Sequence, residues 1–385
     1  MDRHYQTCTK CIMDSSVSDI TFDQDGICSY CRECEEIYKT LPRSDNEANE
    51  RLKTISNLIK RNGKNQKYNC LIGLSGGVDS SFVAYLAKKL GLKPLAVHLD
   101  NGWNSEVAVD NVKKIVDKLQ IDLFTYVIDW EEFKDLQRAF FKASVVDIEI
   151  LTDHAITAAL FNIAREHRIK YILSGSNIAT ESGMPPSWSW RKQDLTNITG
   201  IHKRFGTVKI RSFPTFTTWQ QAINNRMGKH KLVRLLDNVV FKKIRAMETL
   251  KKEVGWRYYG DKHYESVFTK FYQAYVLPAK FGIDKRKAHL SSLIRNGEIS
   301  RSEALQEMKR PPYDDAVLTS EKEYVLKKLG FGEDEFEEIM ARPPKSHMDY
   351  PTDERLFRFL NAISRVAKKG RHLTGRRCAI TVGQS

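Results

Sequence analysis

Two stretches of this 385-residue chain carry residue types at spacings that could do chemistry. The first is Ser75-Gly76-Gly77-Val78-Asp79-Ser80-Ser81, set between an apolar run, Cys70 to Leu74, and a helical run from Phe82 to Leu90 that Gly91 can end as a left-handed cap. Strand, glycine-rich turn and helix make an anion cradle. Adjacent glycines let the backbone close on a phosphate, and the free N–H groups and dipole of the helix start supply partial positive charge. A Walker loop would end in a lysine that reaches the β/γ-phosphates, and none stands here. Instead Asp79 puts a carboxylate inside the cradle, which makes sense only with Mg²⁺ between it and the phosphates. The second stretch holds two C-x2-C pairs, Cys8/Cys11 and Cys28/Cys31, at a separation typical of a zinc ribbon. Four thiolates close a tetrahedral site, so the expected Zn²⁺ is structural. Cys31 and Cys34 form a further C-x2-C. The turn glycine Gly26 favours Cys28 and Cys31, whereas Cys34 falls in a helical stretch, Glu33 to Lys39. An iron–sulfur cluster is the other reading of these cysteines.

Those motifs need elements to hold them. Apolar runs and helical spacing predict strand 68–74, loop and helix 75–90, strand 94–99, helix 105–119, strand 123–128, helices around 131–142 and 153–167, and strand 171–174. Repeated βα units with apolar strands imply an α/β fold, a doubly wound parallel sheet covered on both faces, with ligands beyond the strand C-termini. The organisation read from this is a ribbon (1–40), a helix and linker (41–66), the core domain (67–205) and a mostly helical substrate or partner region (206–385). Helices with basic faces are expected from Trp219 through Lys252 and from Tyr264 to Val276. Arg226 to Lys252 reads as one amphipathic helix on Leu232, Leu235, Leu236, Val239, Val240 and Ile244, rather than as a nucleic-acid surface. Further helices are expected at Ser302–Lys309, Ser320–Leu329, Glu333–Met340 and Asp353–Lys368.

The net charge of +14, from 62 basic and 48 acidic residues, suits nucleic acid, an anionic sugar, or solubility alone. No apolar leader segment and no bilayer-length run is present, so a cytoplasmic location is expected. Seven cysteines without a secretory signal argue for metal or thiol chemistry rather than disulfides.

The loop at 75–81 resembles the SGGxDS pyrophosphate loop of the N-type ATP pyrophosphatases (PP-loop superfamily), which cut ATP between the α- and β-phosphates and place AMP on a carbonyl oxygen. The resemblance implies that Ser75, Gly76, Gly77 and Ser80 hold the pyrophosphate and Asp79 the Mg²⁺. It implies that His98 and Asp100, at the end of the second strand, line the adenine and ribose; a loop hydrogen-bonding role is the other reading. Ser174 to Glu181 faces the same crevice, with Gly175, Asn177 and Glu181 as nucleotide-binding candidates. In Gly183 to Asp194, prolines fix the loop, and Trp190, Arg191 and Asp194 could take a sugar acid, against the alternative that the tryptophans pack the core. Tyr264 and Glu265 are further substrate candidates, and Lys280 and Arg286 could supply the charge that the lysine-free loop lacks.

Taken together, Cys8 to Asp14, Thr21-Phe22-Asp23, Gly26-Ile27-Cys28, the loop, Asn177 to Glu181 and Lys280 to Ser291 resemble the N-acetyl sugar amidotransferases of surface-polysaccharide biosynthesis (the WbpG/PseA-like family). That resemblance implies ATP- and ammonia-dependent conversion of an acetamido group on a sugar acid, free or nucleotide-linked, into an acetamidino group. It also implies a separate glutaminase, with or without a cyclase-like subunit, as ammonia source; none of the cysteines sits in a G-x-C-x-G nucleophile elbow. The competing reading is tRNA or small-molecule thiolation with the spare cysteines Cys34, Cys70 or Cys378. A third is a pyrophosphatase fold kept only as a scaffold.

Overall fold

The computed structural model describes residues 5–260 and 264–372. The apolar runs become a five-stranded parallel sheet of β1 (Cys70–Gly73), β2 (Pro94–Asp100), β3 (Asp122–Val127), β4 (Tyr171–Ser174) and β5 (Lys231–Arg234), in the order β3-β2-β1-β4-β5. Leu71 sits level with Leu95 on one side and Ile172 on the other, and Leu173 with Val233. Side chains of β1, β2 and β4 alternate between two covered faces, as a central parallel strand requires. Cys70, Ile72, Ala96 and Leu173 meet the helices Val78–Lys89, Glu106–Leu119 and Lys243–Val254. Leu71, Leu95, Val97 and Ile172 meet Ile163 and Ala164 of the helix Ile150–Glu166. Strand order reverses between β1 and β4, so the crevice opens where the loop at 75–81 leaves β1. The doubly wound parallel sheet is thus the one the strand pattern predicts.

One element departs from expectation. Arg226–Lys252 is not a single amphipathic helix: the helix Thr218–Met227 ends at Gly228 in a left-handed conformation (φ 59°), and β5, a short 3-10 turn and the helix Lys243–Val254 follow. The open edge of β4 decides this, because pairing Tyr171–Ser174 with Lys231–Arg234 satisfies backbone groups that a continued helix would leave beside an unpaired strand. The sheet therefore draws a strand from beyond residue 205. Likewise, the expected helix from Tyr264 to Val276 is a short helix, Val267–Phe271, that widens into a π turn at Tyr272–Val276 and resumes at Leu277–Phe281. The later helices fall at Arg301–Met308, Asp315–Leu329, Glu333–Ala341 and Glu354–His372. The second begins ahead of Ser320 because the Asp314 carboxylate caps it, accepting from the N–H groups of Ala316 and Val317.

Outside the sheet lies a third cluster, from Cys8 and Tyr30 through Phe133, Phe140 and Phe141 to Phe271, Phe336 and Tyr350. It joins the N-terminal ribbon, the helix Trp130–Ala143 and the C-terminal helices. Among the described residues, no helix is long and apolar enough to cross a membrane.

Candidate active site

Gly76 sits at φ 83°, and a Cβ there would lie 2.3 Å from the Ala108 carbonyl oxygen, so the loop can turn only on glycine. The Trp256 indole N–H donates to the Gly76 oxygen at 2.9 Å and pins the turn from below. Within the loop, the Ser75 N–H donates to Ser80 Oγ (3.2 Å) and the Gly77 N–H to Ser75 Oγ (3.2 Å). The helix Val78–Lys89 starts at Gly77 without a side-chain cap, and the Val78 N–H meets the Tyr259 hydroxyl. Gly175, at the end of β4, has Ser80 N only 2.9 Å from where its Cβ would stand, so glycine there lets β4 close against the loop.

This loop forms one wall of a cavity of about 1090 Å³. Of the sequence candidates, Ser75, Gly77, Asp79, Ser80, Gly175, Glu181, Tyr264, Glu265 and Arg286 line it. Asp261 to His263, beside Tyr264, lie outside the described residues.

Other candidates do different work. Gly76 turns away and shapes the loop. His98 is buried, with Nδ1 on the Leu74 oxygen (2.9 Å) and Nε2 against Asn104 Nδ2 (3.2 Å), holding the ends of β1 and β2 together. Asp100 accepts the Gly102 N–H at 2.9 Å, and Asn177 accepts the Thr180 N–H at 2.9 Å as a helix cap; neither lines the cavity. Trp190 stacks on His347 (5.1 Å between centroids, 7° between planes) and donates from Nε1 to Asp194 (3.0 Å). Asp194 itself is fully buried and caps the helix Leu195–Phe205. Arg191 is consumed by Asp353, by Thr218 Oγ1 and by the ring of Phe357. Lys280, expected near the phosphates, instead gives its ammonium to the carbonyls of Ile339 and Arg342 (both 2.6 Å), at the end of the helix Glu333–Ala341. For Trp190, Arg191 and Asp194 the reason is that a fixed loop has no periodicity to say which side chain faces in.

The cysteine pairs do converge. Sγ of Cys8, Cys11, Cys28 and Cys31 all lie within 4.8 Å of one another, and all four residues are buried. The Cys11–Cys28 and Cys8–Cys31 sulfur separations are 3.7 and 4.0 Å. A tetrahedron with Zn–S near 2.3 Å has edges of about 3.8 Å, so the donor set fits that ion. Backbone N–H groups of Cys11 and Cys28 point at Cys8 Sγ (3.4 and 3.2 Å), as anionic sulfur requires. Cys34 stands apart from the four, and Gly183 packs beside it.

Residues 47–204 match the family described as NAD synthase, and residues 265–364 match the family described as LPS biosynthesis protein WbpG-like, C-terminal domain. The chain joins an NAD synthase (PP-loop) domain to a WbpG-like C-terminal domain. Over 67 residues it is 36% identical to a tRNA(Ile)-lysidine synthase of Chlamydia pneumoniae, covering 17% of this chain and 21% of that protein. The chain thus spans about a fifth of the length of that curated relative. Among solved structures it is similar to an NMN synthetase from Francisella tularensis (21% identity, 36% of this chain and 57% of that one, TM-score 0.29). It is also similar to an NH3-dependent NAD synthetase from Campylobacter jejuni (20% identity, 34% and 58%, TM-score 0.28).

The WbpG-like domain supplies much of the cavity wall that faces the loop: Glu265, Lys270, Gln273, Lys285, Arg286 and His289. Between the two walls lies a group that the sequence reading passed over. The Lys192 ammonium bridges Asp147 (2.7 Å) and Asp153 (3.0 Å), Lys285 pairs with Glu149 (2.9 Å), and Gln273 donates to Glu149 (2.8 Å). Burial opposes the charge on Lys192, but Asp147 and Asp153 outweigh it and hold its pKa above the lysine range. Enclosure raises the Asp153 carboxyl, with Lys192 opposing. Lys192 and Lys285 are sequence neighbours of Arg191 and Arg286, and the Glu149/Asp153 pair has helical i,i+4 spacing. Those were the available signals.

Proposed function

We propose that this chain is an ATP-dependent, AMP-forming ligase that converts an acetamido group of an N-acetylated sugar acid into an acetamidino group for surface-polysaccharide biosynthesis in the cytoplasm. The observation that carries the reading is a single cavity with the pyrophosphate loop on one side and the WbpG-like domain on the other. An amide oxygen is a poor leaving group. Attack by that oxygen on the α-phosphorus forms a C–O–P bond and releases pyrophosphate; ammonia then adds to the same carbon, AMP leaves with the oxygen, and the amidine remains with one proton to lose.

In this scheme the loop amides, Ser75 and Ser80 hold the departing pyrophosphate, so that the reacting atoms are positioned in line. Asp79, in the loop wall, offers a hard oxygen donor that suits Mg²⁺. When bound, that ion would neutralise the developing phosphate charge. Lys192, Lys285, Gln273 and Arg286 line the cavity while paired with Asp147, Glu149 and Asp284, and their remaining donors would suit a carboxylate and sugar hydroxyls. The four ribbon cysteines would hold a structural Zn²⁺. Ammonia would come from a separate glutaminase subunit.

The thiolation reading has less support, since neither Cys34 nor Cys70 is among the cavity-lining residues, and Cys378 lies outside the described ones. The likeness to a tRNA(Ile)-lysidine synthase makes tRNA the control substrate. The test is ATP/pyrophosphate exchange and AMP release, screened over acetamido sugar acids, free and nucleotide-linked, with ammonium or glutamine. Ammonium alone should support AMP formation and a product about one mass unit lighter than the sugar, and glutamine should do so only with the glutaminase added. ADP release, or exchange stimulated by tRNA alone, refutes the reading.

A further inference from the structure

We propose that the cysteine ribbon positions the substrate half of the cavity, acting through the helix Arg286–Arg295, and leaves the ATP loop untouched. The argument starts from helix geometry. At 100° per residue, Arg286, His289, Leu290 and Leu293 share one face, and Lys287, Ser291 and Arg295 share another, about 150° away. The first four line the cavity. The other three, at i, i+4 and i+8, all reach the ribbon.

Lys287 pairs with the buried Asp14 carboxylate at 2.6 Å. Ser291 Oγ accepts the Ile12 N–H at 3.3 Å. Arg295 points Nη1 at Cys31 Sγ (3.9 Å) and donates from Nη2 to the Ser182 carbonyl (2.7 Å), so one guanidinium ties a ribbon sulfur to the segment after β4. Two further contacts brace the same arrangement. Arg301 donates to the carbonyls of Cys8 (3.0 Å) and Cys11 (2.9 Å), between the two ligands of the first pair. Tyr38, at the end of the ribbon helix Ser29–Tyr38, donates to the Ala179 carbonyl at 3.1 Å. Thr180, Glu181 and Met184 of that segment also line the cavity.

The ribbon therefore grips two cavity-wall segments, 178–184 and 286–295, from behind. By contrast the loop at 75–81 is held by Ala108, Trp256 and Gly175, none of which belongs to the ribbon. A metal that locks the four cysteines fixes Cys31, and with it the anchor for Arg295. Lys287, Ser291 and Arg295 are positioning residues: they touch no reacting atom and set where Arg286 and His289 stand.

The consequence for turnover rests on the proposed function, whereas the structural claim does not, and the test separates them. Hydrogen exchange by mass spectrometry is measured on the full chain with metal bound, after chelation, and in Arg295→Ala and Lys287→Met variants whose zinc content is checked. Binding of the non-hydrolysable analogue AMP-CPP with Mg²⁺ is measured on the same samples. Segments 178–184 and 286–295 should exchange at least tenfold faster in Arg295→Ala with one zinc per chain retained, and AMP-CPP affinity should stay within about twofold of wild type. Arg295→Lys, which keeps the charge but not the fork, should fall between. Exchange confined to residues 5–38 after chelation overturns the proposal, as does equal loosening of residues 70–89. If an acetamido sugar acid proves to be turned over, its KM should rise at least tenfold in Arg295→Ala while the KM for ATP holds; a loss in kcat alone also overturns it. If no such substrate is found, the function fails and the exchange data still decide the positioning role.

Discussion

At the scale of single residues, the loop and two buried histidines carry the sharpest consequences. Asp79 lines the cavity at the start of the helix Val78–Lys89, and under the proposed function its carboxylate would serve Mg²⁺. Asp79→Asn should fold with an unchanged melting temperature and lose on the order of 100-fold in AMP formation, several kcal/mol of transition-state stabilisation; unchanged turnover would remove the loop from the mechanism. His347 makes a different prediction. Its Nε2 accepts the Asp147 N–H (3.2 Å) and its Nδ1 faces Asn197 Oδ1 (2.7 Å), while Asn197 Nδ2 is spent on the carbonyls of His347 and Pro351. Only the neutral ring with its proton on Nδ1 satisfies all of these. Burial agrees, lowering its pKa from the ordinary 6.5 to about 4, and His154, held the same way between the Phe216 N–H and the Lys192 carbonyl, is also lowered by burial. A depressed folded pKa means the unfolded chain binds more protons between pH 6.5 and 4. Stability is therefore intact above pH 6.5 and falls as pH drops through that window, by about 3 kcal/mol for His347 alone. Denaturant midpoints across pH 7 to 4 read this out, and an NMR titration of His347 with a midpoint near 6.5 would contradict it.

At the scale of elements, the surprises come from ends and edges. Lys280 has the charge expected beside the lysine-free loop, yet it closes the C-terminus of the helix Glu333–Ala341 by donating to orphan carbonyls. Lys280→Met should leave turnover near wild type and cost about 1.5–3 kcal/mol of stability, the usual range for hydrogen bonds from a charged donor. Thermal melts beside steady-state assays check both halves; a collapse of activity with an unchanged melting temperature would return Lys280 to the site. Strand β5 teaches a similar lesson. The spacing of Leu232, Leu235 and Leu236 reads as helical, and Lys231–Arg234 becomes a strand because β4 presents an open edge. The central strands were legible because residues buried on both faces must be apolar in a continuous run, and β3, an exposed edge strand expected at 123–128, stands at Asp122–Val127 even though Leu123, Phe124 and Val127 face solvent.

At the scale of the whole molecule, one apolar cluster contains both Cys8 and Tyr350, with Trp103 and Phe133 from the sheet's surroundings packed among Phe268, Phe271 and Phe336 of the WbpG-like domain. Removing the chain beyond residue 264 would strip Phe268, Phe271, Tyr272 and Phe336 from that cluster, so the truncated protein is expected in the insoluble fraction. The full chain should unfold as one calorimetric transition with equal van't Hoff and measured enthalpies; a separate transition for the C-terminal region would break this. Sequence alone determined the parts whose chemistry is local: seven consecutive residues carry the anion cradle and its carboxylate, two C-x2-C pairs carry the thiolates, and apolar runs carry the strands. The tertiary structure alone decided which side chains face the cavity. Its far wall is assembled from Glu149, Asp153, Lys192 and Lys285, which meet only after folding. Arg191 is claimed by Asp353, 162 residues along the chain, whereas Lys192 reaches the cavity wall between Asp147 and Asp153. An ion pair forms with whichever carboxylate packing brings near, and no spacing within a loop records that.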